Sequence, residues 1–234
     1  MSKSKAFVIG DIHGMFHSLE VMLSHWRREE EQLIMVGDYI DRGPNSDLVL
    51  QQVRELQEEY QAILLRGNHE QLLINYLKNP KKEWLLYQQN GGSTTLSQLL
   101  KITVEEIDES SPEEIAAKVK EQEPWLETWL NDLVYYTTFG DNLIVHAGVD
   151  LNKANWRHTS LHNFLWIRES FHFGDNNTGK TIIFGHTPVQ TLHDTLDPWV
   201  RDNKWGIDGG NVYGGSLIGL RIDKEGVNDA VVLR

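Results

Sequence analysis

The chain has 234 residues, contains no cysteine and carries a formal net charge of −12. A chain of this length can bury a full hydrophobic core, and we predict a single domain over residues 1–234. The absence of cysteine excludes disulfides, thiolate metal ligands and a cysteine nucleophile. The acidic balance opposes general binding of nucleic acid polymers, which depends on lysine and arginine neutralising phosphates.

The apolar segments of the chain are short. None approaches the length of a transmembrane helix, so we expect no membrane partner. The first five residues lead straight into a predicted strand, without the apolar core of a signal peptide. We therefore expect a cytoplasmic protein.

The first third of the chain alternates between strand and helix signals. Apolar residues at helical spacing predict helices over residues 15–30 and 45–59, and a third helix that begins near His69. Strands separated by helices indicate parallel pairing in an α/β arrangement. The predicted strands are short apolar runs that end close to a glycine, at residues 6–9, 33–36 and 62–65.

Strand signals vanish from about residue 79 to residue 135, where we predict a helical insertion that caps the domain. Ser111, followed by Pro112 and two glutamates, is typical of a helix start. Four aromatic residues of the insertion could stack on an adenine, although at this spacing we expect core packing. They are Trp84, Tyr87, Trp125 and Trp129.

Strand signals return in the second half of the chain. Runs at residues 142–145, 181–184 and 206–207 each precede a histidine or an aspartate. Two further strands, at 216–222 and 229–233, flank a polar turn that predicts a hairpin. This distribution favours an α/β sandwich of two packed mixed β-sheets, flanked by helices and carrying the helical insertion.

Polar residues follow five of the predicted strands, and we interpret them as a metal site. Sites in open α/β folds collect at the carboxyl ends of strands. Six candidate ligands are too many for one metal with an open position, but they suit two metals that share a carboxylate. Each residue alone could be a turn residue or an ordinary histidine, whereas the recurrence after successive strands argues against coincidence. The candidates are Asp11, His13, Asp38, Asn68, His146 and His186. Apart from His69, the remaining histidines are assigned to the surface or the core, and they are His17, His25, His158, His162, His172 and His193.

The order of these motifs resembles the calcineurin-like metallophosphoesterases. The motifs are GDIHG, GDYIDRG, GNHE, VHAG and FGHT, and the resemblance spans residues 8–222. It is closest to the phosphoprotein phosphatase branch, especially the compact serine/threonine protein phosphatases of bacteria and phages. The resemblance implies the metallo-dependent phosphatase fold.

The resemblance also implies a ligand assignment. Asp11 and His13 would bind a first metal, and Asp38 would bridge both metals. Asn68, His146 and His186 would complete the second. Manganese is the expected metal, and iron, zinc or nickel could occupy the same ligands. Such a pair would activate a water for in-line attack on a phosphomonoester.

Other residues gain roles from the same resemblance. Arg42 and Arg168 would bind phosphate oxygens together with Asn68, although a structural salt bridge is the alternative for either arginine. His69 would be the general acid, oriented by Asp41, unless it only supports a metal ligand. Tyr213 could contact the substrate or simply pack.

The sequence departs from the family pattern at two positions. Ala147 stands where eukaryotic relatives usually have glycine, and Gly209 stands where threonine is common, which affects the pocket wall but no ligand.

Three functions remain open at this point. The first is a serine/threonine protein phosphatase acting on a phosphoprotein or a small phosphorylated substrate. The second is a symmetrical bis(5'-nucleosyl)-tetraphosphatase that hydrolyses diadenosine tetraphosphate. The third is a non-catalytic binding module, which the complete set of candidate residues disfavours.

Overall fold

The computed structural model describes residues 3–234, so that Met1 and Ser2, the start of the predicted approach to the first strand, lie outside the described residues. Within this range no helix is long and apolar enough to span a membrane. In chain order the strands are β1 (Lys5–Ile9), β2 (Glu31–Met35), β3 (Ile63–Leu64), β4 (Tyr136–Phe139), β5 (Asn142–Val145), β6 (Thr181–Phe184), β7 (Trp199–Arg201), β8 (Lys204–Gly206), β9 (Leu217–Asp223) and β10 (Val227–Leu233).

The strands form two mixed five-stranded sheets, which confirms the predicted α/β sandwich. The first sheet has the order β10-β9-β1-β2-β3, with β1, β2 and β3 parallel and the last two strands antiparallel. The second has the order β4-β5-β6-β8-β7, with β5, β6 and β8 parallel and the two edges antiparallel. The predicted metal ligands follow the carboxyl ends of these parallel strands, so both sheets contribute residues to the predicted metal site.

The alternation of side chains along β1 and β2 separates two cores. Phe7 and Leu33 point to one face, where they join the cluster packed with the helices. Val8 and Ile34 point to the other face and pack with residues of the second sheet, such as Ile183. Because successive side chains of a strand face opposite sides, a continuous apolar run is required wherever both faces are covered.

Within residues 3–234, ten α-helices accompany the sheets. The helix Ser46–Tyr60 matches the prediction over residues 45–59, and the helix Phe16–Ser24 matches only the start of the prediction over residues 15–30. A third helix begins one residue before His69. The helices are α1 (Phe16–Ser24), α2 (Ser46–Tyr60), α3 (Asn68–Lys78), α4 (Pro80–Gln89), α5 (Gly92–Leu100), α6 (Val104–Glu109), α7 (Pro112–Gln122), α8 (Leu126–Asp132), α9 (Leu161–Trp166) and α10 (Glu169–His172).

Helix α1 ends at Ser24, six residues earlier than the prediction over residues 15–30. The helix ends there because the residues that follow it make contacts with the start of β2. Trp26 turns inward and its indole N–H donates to the backbone oxygen of Glu31 at 2.9 Å, while the Glu31 carboxylate accepts the N–H of Arg27. The polar residues that follow form a turn into β2 instead of a fourth helical turn.

The predicted insertion is helical throughout, since α4 to α8 occupy residues 80–132. Ser111 caps α7 by accepting the N–H of Glu114 at 3.1 Å, as its sequence context predicts. Tyr87 is fully buried, and the three tryptophans of the aromatic set pack against the helical core. Core packing therefore describes these residues. The single-domain organisation stays a prediction.

Two short edge strands, β4 and β7, were not predicted, and β8 lies two residues before the predicted position at 206–207. Edge strands have one exposed side and a weak apolar pattern, so little in the sequence distinguishes them from loops. The hairpin between β9 and β10 is confirmed, with the Asp223 carboxylate accepting the N–H groups of Glu225 and Gly226 in the turn.

His172, at the end of α10, is buried against the second sheet. Its ring stacks on Phe184, with centroids 5.5 Å apart, and meets Trp199 at 6.1 Å. Burial lowers the pKa of His172 to about 4, and the charges of Arg168 and Lys204 add to this effect. The imidazole is therefore neutral in the folded protein at pH 7.

We expect this histidine to contribute to acid instability, which His172→Phe should reduce. The folded pKa lies below the ordinary value near 6.5, so the unfolded chain takes up the proton first as the pH falls. The stabilising effect is complete above pH 6.5 and is lost as the pH falls towards 4. Urea unfolding should show the wild type losing about 3 kcal/mol relative to the variant across this window. A difference that stays constant with pH would contradict the assignment.

Candidate metal centre

The polar residues that follow the strands converge on one buried site. Asp11 and His13 follow β1, Asp38 follows β2 and Asn68 begins α3 after β3, all from the first sheet. His146 follows β5 and His186 follows β6, both from the second sheet. The structure thus brings together all six candidate ligands, which are buried.

Asp38 lies at the middle of this cluster. One of its carboxylate oxygens is 3.5 Å from Nε2 of His13 and the other is 3.5 Å from Nε2 of His146. Two groups of candidate ligand atoms within 4.8 Å of one another contain Asp38, one with His13 and His69 and the other with His146 and His186. This position between two groups is the geometry that a bridging carboxylate requires.

Backbone conformation places several of these side chains. His13, Asp38 and His186 have φ values of 47°, 53° and 64°, in the left-handed region that non-glycine residues rarely adopt. Each costs about 1–2 kcal/mol, so surrounding contacts must hold it. The backbone oxygen of Asp38, for instance, accepts the N–H groups of Ile12 and His13 at 3.1 and 2.9 Å.

Two glycines of the motifs leave space for the carboxylates. A Cβ on Gly67 would lie 2.1 Å from Oδ1 of Asp38, and a Cβ on Gly185 would lie 1.9 Å from Oδ1 of Asp11. These are the glycines that open GNHE and precede His186 in FGHT. The motif glycines are therefore required by the close approach of ligand oxygens.

Hydrogen bonds fix the tautomers of two histidines. Nδ1 of His13 lies 2.8 Å from the backbone oxygen of Ile40, and Nδ1 of His146 lies 3.0 Å from that of Val36. A carbonyl can only accept, so each Nδ1 carries the proton and each Nε2 directs a lone pair into the site. Such an arrangement prepares Nε2 for a cation.

The contacts of Asn68 test whether a cation fits. Its Oδ1 lies 2.9 Å from Nε2 of His146, and the pKa of His146 is lowered by burial, so the ring is neutral and both atoms present lone pairs. A shared cation satisfies such a contact. Among the described residues, Oδ1 of Asp11 and Nε2 of His186 are buried without a hydrogen-bond partner. Oxygen and imidazole ligands suit manganese, iron or zinc, and the residues therefore fit divalent cations.

Burial and neighbouring charges shift the pKa values of the candidate ligands in different directions. Burial raises the pKa of Asp11, and the nearby charges of Asp208 and Asp38 raise it further. Burial lowers the pKa of His13 to about 3, with a contribution from the positive charge of His69. Burial disfavours the charged form of Asp38, but the surrounding histidines hold its pKa well below the usual range. A cation would relieve this crowding of carboxylates.

Both candidate phosphate-binding arginines are free of carboxylate partners among residues 3–234. Nη1 of Arg42 donates to Nε2 of His13 at 2.8 Å, and Nη1 of Arg168 donates to the hydroxyl of Thr187 at 2.8 Å. The positive charge of Arg168 also contributes to the lowered pKa of His186. The salt-bridge alternative is thus not observed, and both guanidinium groups remain available to an anion.

His69 and Asp41 form a buried pair beside this cluster. Nδ1 of His69 lies 2.7 Å from Oδ2 of Asp41, and the imidazole ring meets the ring of His13 edge-on at 4.6 Å. Burial alone would lower the pKa of His69, but the charge of Asp38 and the hydrogen bond and charge of Asp41 raise it above the ordinary value. His69 is therefore suited to hold a proton near neutral pH.

Tyr213 lies at the rim of the site and is 64% exposed. The guanidinium carbon of Arg42 lies 5.5 Å from the centroid of its ring. Tyr213 ends a short turn, Asn211–Tyr213, between Gly210 and Gly214, whose φ values are 66° and 79°. This position favours a substrate contact over core packing.

The unusual Gly209 has a structural explanation. A Cβ at this position would lie 2.0 Å from the backbone oxygen of Ser216, which leaves no space for threonine without a shift of the backbone. The N–H of Ser216 donates to the oxygen of Gly209 at 2.8 Å and closes the two chain segments onto each other. Ala147 is buried, and its N–H donates to the backbone oxygen of Phe164.

The sequence analysis gave no role to Asp208, which the structure buries near the candidate ligands. Its Oδ1 accepts the N–H of Gly210 at 2.9 Å. Burial raises the pKa of Asp208 to about 6, and the charge of Asp38 contributes to the increase. An aspartate just after a predicted strand was the available signal, since Asp11 and Asp38 also follow predicted strands, each after one glycine.

Glu70 was also missed, and it supports the loop that carries Asp38. Its carboxylate accepts three backbone N–H groups, from Asp38 at 2.9 Å, Tyr39 at 2.8 Å and Gly67 at 2.8 Å. Burial raises the pKa of Glu70 to about 7, and the charge of Asp38 adds to the increase. A glutamate three residues after the start of a helix, as in a capping box, was the signal in the sequence.

We expect Glu70→Gln to destabilise the protein by about 2–4 kcal/mol. Both carboxylate oxygens accept buried N–H groups, and the amide of glutamine can replace only one of them. Glu59→Gln, on the exposed side of α2, is the control and should change the free energy of unfolding by less than about 0.5 kcal/mol. Urea denaturation measures both variants. If Glu70→Gln were as stable as Glu59→Gln, the role of Glu70 as the support of the loop would be refuted.

Comparison with known proteins supports the geometry. Residues 4–209 match the family model described as calcineurin-like phosphoesterase. Over 221 residues, the chain is 30% identical to serine/threonine-protein phosphatase 1 of Salmonella typhimurium, covering 92% of this chain and 91% of the relative. It is also 26% identical to the asymmetrical bis(5'-nucleosyl)-tetraphosphatase PrpE of Oceanobacillus iheyensis, covering 97% of this chain and 92% of that one.

Solved structures share the fold. The crystal structure of a protein provisionally described as a diadenosine tetraphosphatase superposes with a TM-score of 0.67. The alignment covers 99% of this chain and 95% of that one at 18% sequence identity. A metallophosphoesterase from Sphaerobacter thermophilus gives a TM-score of 0.57, also at 18% identity, over 98% and 89% of the two chains.

Proposed function

The chain belongs to the calcineurin-like phosphoesterase family and is a hydrolase, and we propose that it removes phosphate from phosphoserine and phosphothreonine in proteins. The observation that carries this proposal is the buried pair of His69 and Asp41 beside the candidate ligands. A proton donor is most useful when the leaving group is a poor one, such as a serine or threonine alkoxide. The proposal places the chain among the bacterial members of the phosphoprotein phosphatase branch, in the cytoplasm.

We assign the candidate ligands to two divalent cations, with manganese first and iron, zinc or nickel as alternatives. Asp11 and His13 would hold one cation, Asp38 both, and the remaining three ligands the other. The chemistry that two such cations supply is a water-derived nucleophile at neutral pH and neutralisation of phosphoryl charge. The central position of Asp38 and the inward lone pairs of the histidines support this assignment.

The protein's own residues bind and orient the phosphate. Arg42 and Arg168 donate N–H groups to phosphoryl oxygens, because a planar guanidinium matches two oxygens of the anion. The side-chain amide of Asn68 adds a donor, since its Oδ1 already faces the histidines. Tyr213 borders the pocket above Arg42 and contacts the part of the substrate beyond the phosphate.

His69 delivers the proton. Its Nδ1–H donates to Asp41, so a proton on Nε2 is free to reach the leaving oxygen. As the bond between phosphorus and this oxygen breaks, the oxygen takes the proton from Nε2, and the oxygen of water forms the new bond to phosphorus. The attacking water loses one proton to solvent, and the imidazole, left neutral, takes one up from solvent, so that no net proton is consumed at His69.

Hydrolysis of a dinucleoside tetraphosphate is the second candidate function. The relatives named as tetraphosphatases favour it, and their names specify asymmetrical cleavage, whereas the sequence analysis considered the symmetrical reaction. A nucleotide leaving group needs little protonation, so this reaction would make less use of His69. The aromatic residues of the insertion lie in the core or pack against it, whereas the ring of Tyr213 is exposed beside the site.

Initial rates on two substrates test the proposed function. With the manganese-loaded protein at matched low substrate concentrations, we expect kcat/KM for a phosphothreonine peptide to exceed that for diadenosine tetraphosphate by at least about 10-fold, because the acid pair favours an alkoxide leaving group. A reversed preference would overturn the proposal. The products would then identify the reaction, since symmetrical cleavage yields two molecules of ADP and asymmetrical cleavage yields ATP and AMP.

The metal assignment predicts different stoichiometries for two variants. Asp38→Asn should release both cations, because one carboxylate serves both and a neutral amide supplies neither the charge nor the second oxygen that bridging requires. Asparagine tolerates the positive φ of Asp38, so the loop should keep its conformation. Asn68→Ala, the matched control, should lose mainly one cation. Elemental analysis after dialysis measures bound manganese per chain, and retention of one full equivalent by Asp38→Asn would refute the bridging role.

A further inference from the structure

The second carboxylate oxygen of Asp41 connects the pair with His69 to the helical insertion. Oδ2 faces His69, whereas Oδ1 accepts a hydrogen bond from the hydroxyl of Tyr87 at 3.0 Å and from that of Thr95 at 2.7 Å. Tyr87 lies on α4 and Thr95 on α5. All four residues are almost completely buried, so water cannot replace either hydroxyl.

The loop that carries Asp41 depends on the same helices. Asp41 and Arg42 have φ values of 72° and 70°, two consecutive non-glycine residues in the left-handed region. The N–H of Asp41 donates to Oγ1 of Thr95 at 2.9 Å, and the side-chain amide of Gln98 donates to the oxygen of Gly43 at 3.0 Å. Helix α5 therefore binds the loop on both sides of Arg42 and holds a conformation that would otherwise relax.

The packing of Tyr87 fixes the direction of its hydroxyl. Its ring stacks on Tyr76, with centroids 5.3 Å apart and an interplanar angle of 29°. A Cβ on Gly92 would lie 2.6 Å from three atoms of the same ring, so only glycine fits there. Tyr76 and Gly92 thus pack closely against the fully buried ring, and its hydroxyl donates to Asp41.

We propose that Tyr87 and Thr95 are positioning residues for the general acid, so that the insertion takes part in proton delivery. Two donors on Oδ1 fix the rotation of the Asp41 carboxylate and leave Oδ2 to hold the Nδ1–H of His69. The orientation of the imidazole then directs Nε2 towards the leaving oxygen. This inference rests on the proposed function, because it concerns the proton that an alkoxide leaving group requires.

Tyr87→Phe removes one hydroxyl and retains the packed ring. We expect kcat on a phosphothreonine peptide to fall about 10-fold, with an unchanged KM, because His69 is oriented less well. On p-nitrophenyl phosphate, whose leaving group needs no proton, kcat should fall less than about 2-fold. Tyr76→Phe is the matched control, since its hydroxyl donates to the backbone oxygen of Pro112 and does not reach Asp41.

Thr95 gives an independent comparison at the second hydroxyl. Thr95→Val keeps the shape of the side chain, and Oγ of Ser46, 3.1 Å from the backbone nitrogen of Asp41, remains as an acceptor for the loop. We therefore expect the same substrate-selective loss of kcat. Thr95→Ser keeps the hydroxyl and should recover most of the wild-type rate. Equal losses on the two substrates, or a loss in Tyr76→Phe as large as in Tyr87→Phe, would overturn the proposal.

Nuclear magnetic resonance supplies a measurement that needs no substrate. In protein labelled with ¹⁵N-histidine, the Nδ1–H of His69 should give a downfield signal that exchanges slowly with water. We expect faster exchange in Tyr87→Phe and Thr95→Val and no change in Tyr76→Phe, and unchanged exchange in all three would refute the positioning role. If the wild type hydrolysed neither phosphomonoester, the proposed function would fail, while the exchange comparison would still decide the role of the hydroxyls.

Discussion

The carboxylate of Glu70 is the interaction on which the geometry of the site depends. By accepting the N–H groups of Asp38, Tyr39 and Gly67, it joins the end of β2 to the start of α3. The same N–H groups would otherwise be buried without partners, which makes the arrangement costly to alter. The hydrogen bond from the N–H of Asp38 to Glu70 holds the left-handed backbone of Asp38. This backbone in turn sets the position of the Asp38 carboxylate between the two sheets.

Around this support the structure buries carboxylates beside imidazoles. Burial and the charges of Asp208 and Asp38 raise the pKa of Asp11, and burial lowers the pKa values of His146 and His186, so the site has acceptor atoms in excess of donors. The two arginines lie outside this set and have no carboxylate partner within residues 3–234. The centre therefore offers lone pairs to cations and guanidinium groups to an anion, and both kinds of ligand belong to hydrolysis of a phosphate ester.

The sequence predicted the parts of this protein that depend on local pattern. The parallel strands are apolar runs that end close to a glycine. Parallel pairing alone then brings the residues that follow these strands to a common edge of the sheet. The prediction was wrong for the end of α1, because Trp26 is drawn inward by Glu31, a contact that periodicity does not encode. Edge strands such as β4 have too little pattern to be recognised. Roles of individual site residues remain proposals.

Hydrogen bonds between residues far apart in the chain were the second kind of feature that the sequence did not predict. The contact between Tyr87 and Asp41 joins residues 46 positions apart, and that between Thr95 and Asp41 joins residues 54 apart. Tyr87 was assigned to the core, which is where it lies, yet its hydroxyl also serves the site. A residue's apolar body and its polar end can thus have separate purposes, and sequence alone indicates only the first.

The turn that presents Tyr213 has a consequence for how the rim of the site can vary. Its conformational demands are concentrated in Gly210 and Gly214, and a side chain on Gly214 would meet no atom within 4 Å. The three residues between the glycines are partly or largely exposed. Substitutions there can therefore change the surface at the rim without disturbing the buried candidate ligands. The rim and the metal centre can thus vary independently of each other.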